Sequence, residues 1–294
     1  MATSQSQLSA ESAIPRRILL ATDLSSRCDR AQDRAVRLAQ AWGAKLSILH
    51  VISGETPPDV PSWRRAGGAA AAVVEAQIRA DLEGSGLEPE VLLARGDPAE
   101  TILHQAGTLG AGLLVTGVAR DEMLGRASLG AIVDQLVGRA PMPVLVVKGR
   151  AQRTYGEIVV ATDFSASSRH ALETALRIFP QARITLFHAY KVPFEGFISR
   201  SANQEEMRQM ALAEQASFLG GVQAAPGWQE RVTTLLEHGE AGGLVCDYVR
   251  ERRIGLAVLG TQGRSGLAGF LVGSTAKRLL ASLPCDTMTV RQPT

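Results

Sequence analysis

The 294-residue chain contains the same stretch twice. RRILLATDLSSRCDRAQDRAVRLAQAWGAKLSILHV begins at Arg16, and GEIVVATDFSASSRHALETALRIFPQARITLFHAY begins at Gly156. Ile18 to Asp23 aligns with Ile158 to Asp163, and His50 with His188; then Gly96, Gly117, Gly130 and Pro141 align with Gly239, Gly260, Gly273 and Pro284 at a constant offset of 143. An internal repeat of this length means two copies of one domain, each large enough to bury its own core. Residues 16–148 form the first copy and 156–294 the second, with a polar linker at 149–155 and a polar tail at 1–15 that reads as disordered.

Within the first copy, short apolar runs at Ile18–Ala21, Lys45–Val51, Glu90–Ala94, Leu113–Gly117 and Val144–Val147 are too continuous for strands with one wet face. Helical patterns separate them. Arg30–Trp42 carries Ala31, Ala35, Leu38 and Ala39 on one face, Ala69–Leu82 and Pro98–Leu109 read the same way, and Val133, Leu136, Val137 and Ala140 repeat in the second copy as Ala276, Leu279, Leu280 and Leu283. Alternating strands and helices predict an α/β fold: two tandem, doubly wound, parallel five-stranded sheets with right-handed crossovers. In such sheets ligands bind at the carboxyl ends of the strands, where the strand order reverses.

Composition narrows the function. The first 150 residues hold 16 basic and 16 acidic side chains and the remainder 15 and 13, so neither half has the basic excess of a dedicated nucleic-acid binder. No apolar run approaches the ~18–20 residues needed to cross a bilayer, and the polar start is unlike a signal peptide; a cytoplasmic location away from membranes is expected. Cys28, Cys246 and Cys285 lack metal-ligand spacing and read as reduced thiols.

The stretch GTQGRSGLAGFLVGST, Gly260 to Thr275, follows an apolar run ending at Leu259 and leads into the last helix. A glycine at a strand end lets a phosphate approach backbone N–H groups that a Cβ would block, and a helix opening at Gly273-Ser274-Thr275 aims unpaired N–H groups and its positive dipole end at the same spot. Ser274 and Thr275 add hydroxyls, and Arg264 adds a charged fork. There is neither a GxxxxGK[ST] loop nor a GxGxxG first turn. At that turn Ala161 and Thr162 lead instead to Asp163, which suits a ribose hydroxyl or an adenine edge; a helix cap is its bland alternative.

These residues resemble the universal stress protein family, whose nucleotide-binding members carry G-x2-G-x9-G-[ST]; Gly260, Gly263, Gly273 and Ser274 match without a gap. The strand-end Asp23 and Asp163 and the strands ending in His50-Val51 and His188-Ala189 match as well, and the likeness runs from about Arg16 to Arg291. The resemblance implies a Rossmann-like fold of the adenine nucleotide alpha hydrolase type. It also implies nucleoside contacts at Asp163 and Ala189, phosphate contacts at Gly260, Gly263, Gly273 and Ser274, and ATP, with or without Mg²⁺, as ligand. Ala189 is smaller than the family's usual Val, which loosens adenine packing. The copies are expected to pack about a pseudo-twofold through their last strands, with a homodimer of whole chains left open.

The first copy departs from the pattern. Arg120 replaces Gly263, Asp121 replaces Arg264, Glu122 replaces Ser265 and Ala131 replaces Ser274, so the second copy alone is expected to bind ATP. Efficient catalysis is not indicated: Asp163 stands without a paired carboxylate, and His188 is better read as a core histidine hydrogen-bonded in place, with His104, His170 and His238 structural too. The favoured function is a nucleotide-dependent regulatory module acting on a protein partner that the sequence does not identify. The alternatives are a weak ATPase or nucleotide-handling enzyme, and an interaction scaffold with an empty loop. Ser53–Gly68 and Lys191–Gln204 read as flaps near the sites, with Trp63, Phe194 and Phe197 as contact residues or local core cover.

Overall fold

The computed structural model describes residues 14–26, 28–52, 67–118, 130–191, 200–263 and 272–293. The first copy runs β1 (Arg17–Thr22), α1 (Asp29–Trp42), β2 (Lys45–Ile52), α2 (Gly67–Asp81), β3 (Glu90–Arg95), α3 (Pro98–Thr108), β4 (Leu113–Gly117), α4 (Ala131–Arg139) and β5 (Val144–Val147). The second repeats this order: β6 (Glu157–Ala161), α5 (Ala166–Ile178), β7 (Arg183–Tyr190), α6 (Arg200–Gly220), β8 (Val232–His238), α7 (Ala241–Arg252), β9 (Leu256–Gly260), α8 (Ser274–Ser282) and β10 (Asp286–Val290). Of the two segments expected as flaps, the described parts are Lys191 and the helical ends from Gly67 and Arg200; Trp63, Phe194 and Phe197 lie outside the described residues.

The two five-stranded halves join edge to edge into one ten-stranded sheet, in the order β3-β2-β1-β4-β5-β10-β9-β6-β7-β8. Pairing within each half is parallel, while β5 meets β10 antiparallel with Leu145 opposite Met288. An antiparallel junction between two copies of a parallel half is what a pseudo-twofold requires. It also disposes of both apolar inner edges. The central strands β4, β5 and β10 are buried throughout, as their apolar sequences demand. β3 departs from that expectation: as an outer edge strand it is only half-buried, because nothing pairs with its far side.

Helices cover both faces. Ala31, Ala35 and Leu38 of α1, Ile78 of α2, Ala171 and Ala175 of α5 and Phe218 of α6 pack in one core. On the other face, Ile102 of α3, Val133 and Leu136 of α4, Val245 of α7 and Leu279 of α8 form a second. Each core draws residues from both copies, so the halves share their hydrophobic layers.

One inward position of α1 is not apolar. Arg34 lies on the face that carries Ala31, Ala35 and Leu38, and its Nε donates to Asp286 Oδ2 at 3.1 Å with both side chains at most 5% exposed. Asp286 is fully engaged: Oδ2 also accepts from the Tyr155 hydroxyl at 2.5 Å, and Oδ1 accepts from the backbone N–H groups of Lys148 and Gly149, both at 2.8 Å. The Arg34 guanidinium lies 4.2 Å from the Tyr155 ring centroid and donates to the Arg153 carbonyl at 2.7 Å. Burial, joined by the Asp286 charge, holds the Tyr155 hydroxyl protonated well above its ordinary range, as a donor must be. Lys148 Nζ donates to the carbonyls of Leu280 and Leu283, the orphan acceptors at the end of α8. Thus the polar linker is stapled to both copies, and Ala151 and Tyr155 within it are buried.

The network exists once. By the alignment, Thr174 stands in Arg34's place and Pro143 in that of Asp286, and the buried Thr174 hydroxyl has no hydrogen-bond partner among the described residues. Removing one member of a buried, hydrogen-bonded ion pair typically costs about 3–5 kcal/mol. Asp286→Ala is therefore expected to lower the unfolding free energy by about that amount in denaturant titration. Thr174→Val, which deletes an unpartnered hydroxyl at constant shape, should change stability by less than about 1 kcal/mol or raise it.

Candidate functional site

The strand order reverses between β1 and β4 in the first copy and between β6 and β9 in the second. At the second reversal a cavity of ≈ 490 Å³ opens, within the range of small-molecule sites. Ala161, Thr162, Asp163, Ala189, Leu259, Gly260, Gly263, Gly273, Ser274 and Thr275 all line it. Arg264 lies outside the described residues, as do Gly266 and Gly269.

The first turn is held by its own side chains. Thr162 Oγ1 accepts from Phe164 N at 2.9 Å and Asp163 Oδ1 from Ser165 N at 3.0 Å. Phe164 sits at φ 60°, a left-handed conformation that costs a non-glycine residue about 1–3 kcal/mol and persists only where its surroundings enforce it. Here the Phe164 ring stacks on His188 at a centroid distance of 4.2 Å, and His188 Nδ1–H donates to the Thr162 carbonyl at 2.8 Å. That bond commits Nδ1 and makes the histidine a latch on the turn. The cap of α5 is Ser165, whose hydroxyl accepts from Ser168 N; Asp163 is therefore not the helix cap.

The glycines divide by role. A Cβ on Gly260 would lie 2.7 Å from Ser167 Oγ and 2.9 Å from the Ser167 backbone, so this position lets β9 approach the start of α5. A Cβ on Gly263 would come within 3.1 Å of Asp163 Oδ2, so its absence brings the loop against the carboxylate. Gly273 differs: its φ is −57°, and a Cβ there would make only ordinary contacts at 3.7–3.8 Å. Gly273 N donates to Thr261 O at 2.9 Å, which pins the two ends of the loop together.

Helix α8 begins with no side-chain cap and no acid in its first turn, so the N–H groups of Ser274, Thr275 and Ala276 have no partner within the helix. Lys277 is exposed on the solvent side, and Arg278 pairs with Glu240 at 2.9 Å, tying α8 to the cap of α7. The Gly243 and Gly242 amides, helped by Arg278, hold the Glu240 carboxyl below its ordinary range. Ala241 and Val245 of α7 also line the cavity, a contribution that sequence reasoning missed. Its signal was Gly239, whose φ of 141° makes the tight entry into that helix.

The first copy keeps the same turn. Thr22 Oγ1 accepts from Leu24 N, Asp23 Oδ1 from Ser25 N, and His50 Nδ1–H donates to Thr22 O, while Leu24 repeats the left-handed φ at 61°. Its cavity is smaller, ≈ 210 Å³. Helix α4 opens on Ala131 and Ile132 where α8 has Ser274 and Thr275, and carries Asp134 in its first turn where α8 has Lys277. Arg120, Asp121 and Glu122 lie outside the described residues. Burial raises the Asp23 carboxyl, but hydrogen bonds from Ser25 and Cys28 outweigh it and hold the group below its ordinary value. Burial pushes the Cys28 thiol up and that of Cys285 to about 12, so both stay protonated at neutral pH.

The sequence profile described as the universal stress protein family matches residues 15–148 and again 154–291. A universal stress protein of Mycolicibacterium smegmatis is 28% identical over 303 aligned positions, covering 93% of this chain and 96% of the relative. A single-copy universal stress protein of Thermus aquaticus is 36% identical over 137 positions, 45% of this chain and 97% of the relative. Among solved structures, a universal stress protein from Archaeoglobus fulgidus has the same fold, with a TM-score of 0.65 at 19% identity over 94% of this chain and 96% of that one.

Two outcomes follow from this geometry. Gly260→Ala forces a Cβ into backbone atoms and is expected to cost about 1–3 kcal/mol in unfolding measurements, whereas Gly273→Ala should stay within about 0.5 kcal/mol of the parent. Because the folded Asp23 carboxyl titrates below its unfolded value of about 3.9, its stabilisation is complete above that pH and is lost as pH falls through the folded value. Asp23→Asn should flatten that part of the acid limb in a stability-against-pH profile.

Proposed function

Because the chain belongs to the universal stress protein family, we propose that it is a nucleotide-dependent regulatory module whose second copy binds ATP and whose first copy does not. One observation carries this reading. Among the described helix caps, α8 alone joins an uncapped, acid-free N-terminus to a glycine cap residue, beside a cavity that Asp163 also lines. Such a terminus favours anions by about 0.3–1 kcal/mol through the dipole alone, and each charged hydrogen bond adds about 1.5–3 kcal/mol.

In this reading Asp163 accepts from a ribose hydroxyl or the adenine edge, and the adenine packs against Ala189 and Leu259. Gly260 and Gly263 bring the loop backbone to the phosphates, and Gly273, Ser274 and Thr275 receive them at the start of α8, with Arg264 as the charged fork. Ala161 and Thr162 form the wall beneath Asp163. Mg²⁺ arrives on the triphosphate itself. Residues 16–148 and 156–294 act as the two functional units, with 1–15 a tail and 149–155 a linker. Occupancy is read by a protein partner in the cytoplasm. No described helix is long and apolar enough to cross a membrane. The commitment of His188 Nδ1 to Thr162 favours binding over hydrolysis.

Equilibrium dialysis is expected to give one ATP per chain, recovered intact. Gly273→Val should weaken binding at least a hundredfold while the melting transition survives. Two equivalents per chain, or binding indifferent to Gly273→Val, would overturn the proposal.

A further inference from the structure

We infer that the junction between the two copies carries a site for a short chain of phosphates, in an arginine-lined cavity at the end of β9 opposite Gly260. The site is independent of what fills the cavity beside Asp163.

The junction cavity measures ≈ 340 Å³ and lies at the amino ends of β9 and β10, whereas Leu259 and Gly260 line the other cavity at the carboxyl end of β9. Four arginines line it from three parts of the chain: Arg34 from α1, Arg150 from the linker, and Arg250 and Arg253 from the end of α7. Asp286 is the one carboxylate in the lining, and its two oxygens already accept from Arg34, Tyr155 and the amides of Lys148 and Gly149. The rest is glycine, proline, aliphatic side chains and the Cys285 thiol, which burial keeps protonated. The lining side chains therefore offer positive charge and donors and no spare strong acceptor. A sugar hydroxyl or a base N–H finds no acceptor side chain here, while a guest made of anionic acceptor oxygens suits every arginine. A phosphate chain presents such oxygens on each unit, so guanidinium groups arriving from α1, the linker and α7 can each hold one.

The arginines are not explained by the fold. Arg34 Nε and Nη1 bond to Asp286 and the Arg153 carbonyl, and Nη2 has no hydrogen bond among the described residues. Arg150 and Arg253 are exposed and have no ion pair among the described residues. Arg250 shares only an exposed pair with Asp247, which competes weakly with a multivalent anion. Bases at a helix end ordinarily answer its last carbonyls, but those of Val249 and Arg250 already accept from the N–H groups of Ile254 and Arg253. Arg253 sits at φ 53°, where the aligned Gly110 of the first copy sits at φ 60°, and Gly107 stands in the place of Arg250. Glycine makes this turn without strain, so the second copy carries its arginine at a conformational cost that the turn does not require. Like charges gathered around one cavity repel one another, and a multivalent anion relieves that repulsion.

The experiment is calorimetric titration of the full chain with inorganic tripolyphosphate at a fixed ionic strength of about 0.1 M. The parent should bind it at least about tenfold more tightly than inorganic phosphate or citrate. Arg253→Gly suits the left-handed turn and should leave the melting temperature unchanged or raised, yet weaken binding about tenfold or more; Arg150→Ala should weaken it about tenfold, as loss of a charged hydrogen bond does. Arg79→Ala, at an exposed arginine of α2 outside the cavity, is the control for general electrostatics and should leave binding within about twofold. No uptake by the parent, citrate bound as tightly as tripolyphosphate, or an affinity unmoved by Arg253→Gly and Arg150→Ala would overturn the inference. So would uptake that Gly273→Val abolishes, which would put the anion at α8. Arginine-dependent uptake by a chain that binds no ATP overturns the reading of the other cavity alone.

Discussion

The antiparallel pairing of β5 with β10 is the contact on which the molecule depends. Each half ends in a short apolar strand, Val144–Val147 or Asp286–Val290, that as a free edge would expose unpaired backbone groups beside a hydrophobic face. Pairing the two satisfies both edges and merges the cores above and below the sheet. The Arg34–Asp286–Tyr155 network then breaks the symmetry. It draws a helix of the first copy, a strand-entry residue of the second and the linker into one buried cluster. A buried ion pair of this sort is weak evidence for added net stability, but removing one partner leaves an uncompensated buried charge, so the cluster is costly to break.

Much of this was legible in the residues. The five apolar runs of the first copy fall on β1 to β5 within a residue or so at each end, and the apolar faces of α4 and α8 are the faces that pack. The signal was strong because a parallel sheet covered on both sides needs continuous apolar strands and helices of fixed period. Arg34 was not legible. A charged residue at an inward helical position reads as solvated until its partner, 252 positions away, is known. The half-buried β3 was missed for a related reason, since edge position is a property of sheet order and not of local sequence.

The candidate site was legible in its residue types and less so in their duties. The glycine spacing assembled a single pocket with Asp163 and Ala189, yet it did not distinguish Gly260, needed for close approach to Ser167, from Gly273, where a Cβ would make only ordinary contacts. The helix-cap alternative for Asp163 fell to Ser165 only through hydrogen-bond geometry. Comparison of the two copies was more informative than either alone. It separates the turn that both copies share from the start of the last helix, where Ser274, Thr275 and Lys277 correspond to Ala131, Ile132 and Asp134.

We propose that ATP is held at the first turn of α8, and not at that of α4, which opens on Ala131 and Ile132 and carries Asp134. Residue-resolved amide hydrogen exchange with and without ATP tests it most directly. Protection is expected at Ser274, Thr275 and Ala276, with none at Ala131, Ile132 and Val133. Equal protection of both helix starts, or protection of α4 alone, would contradict the account.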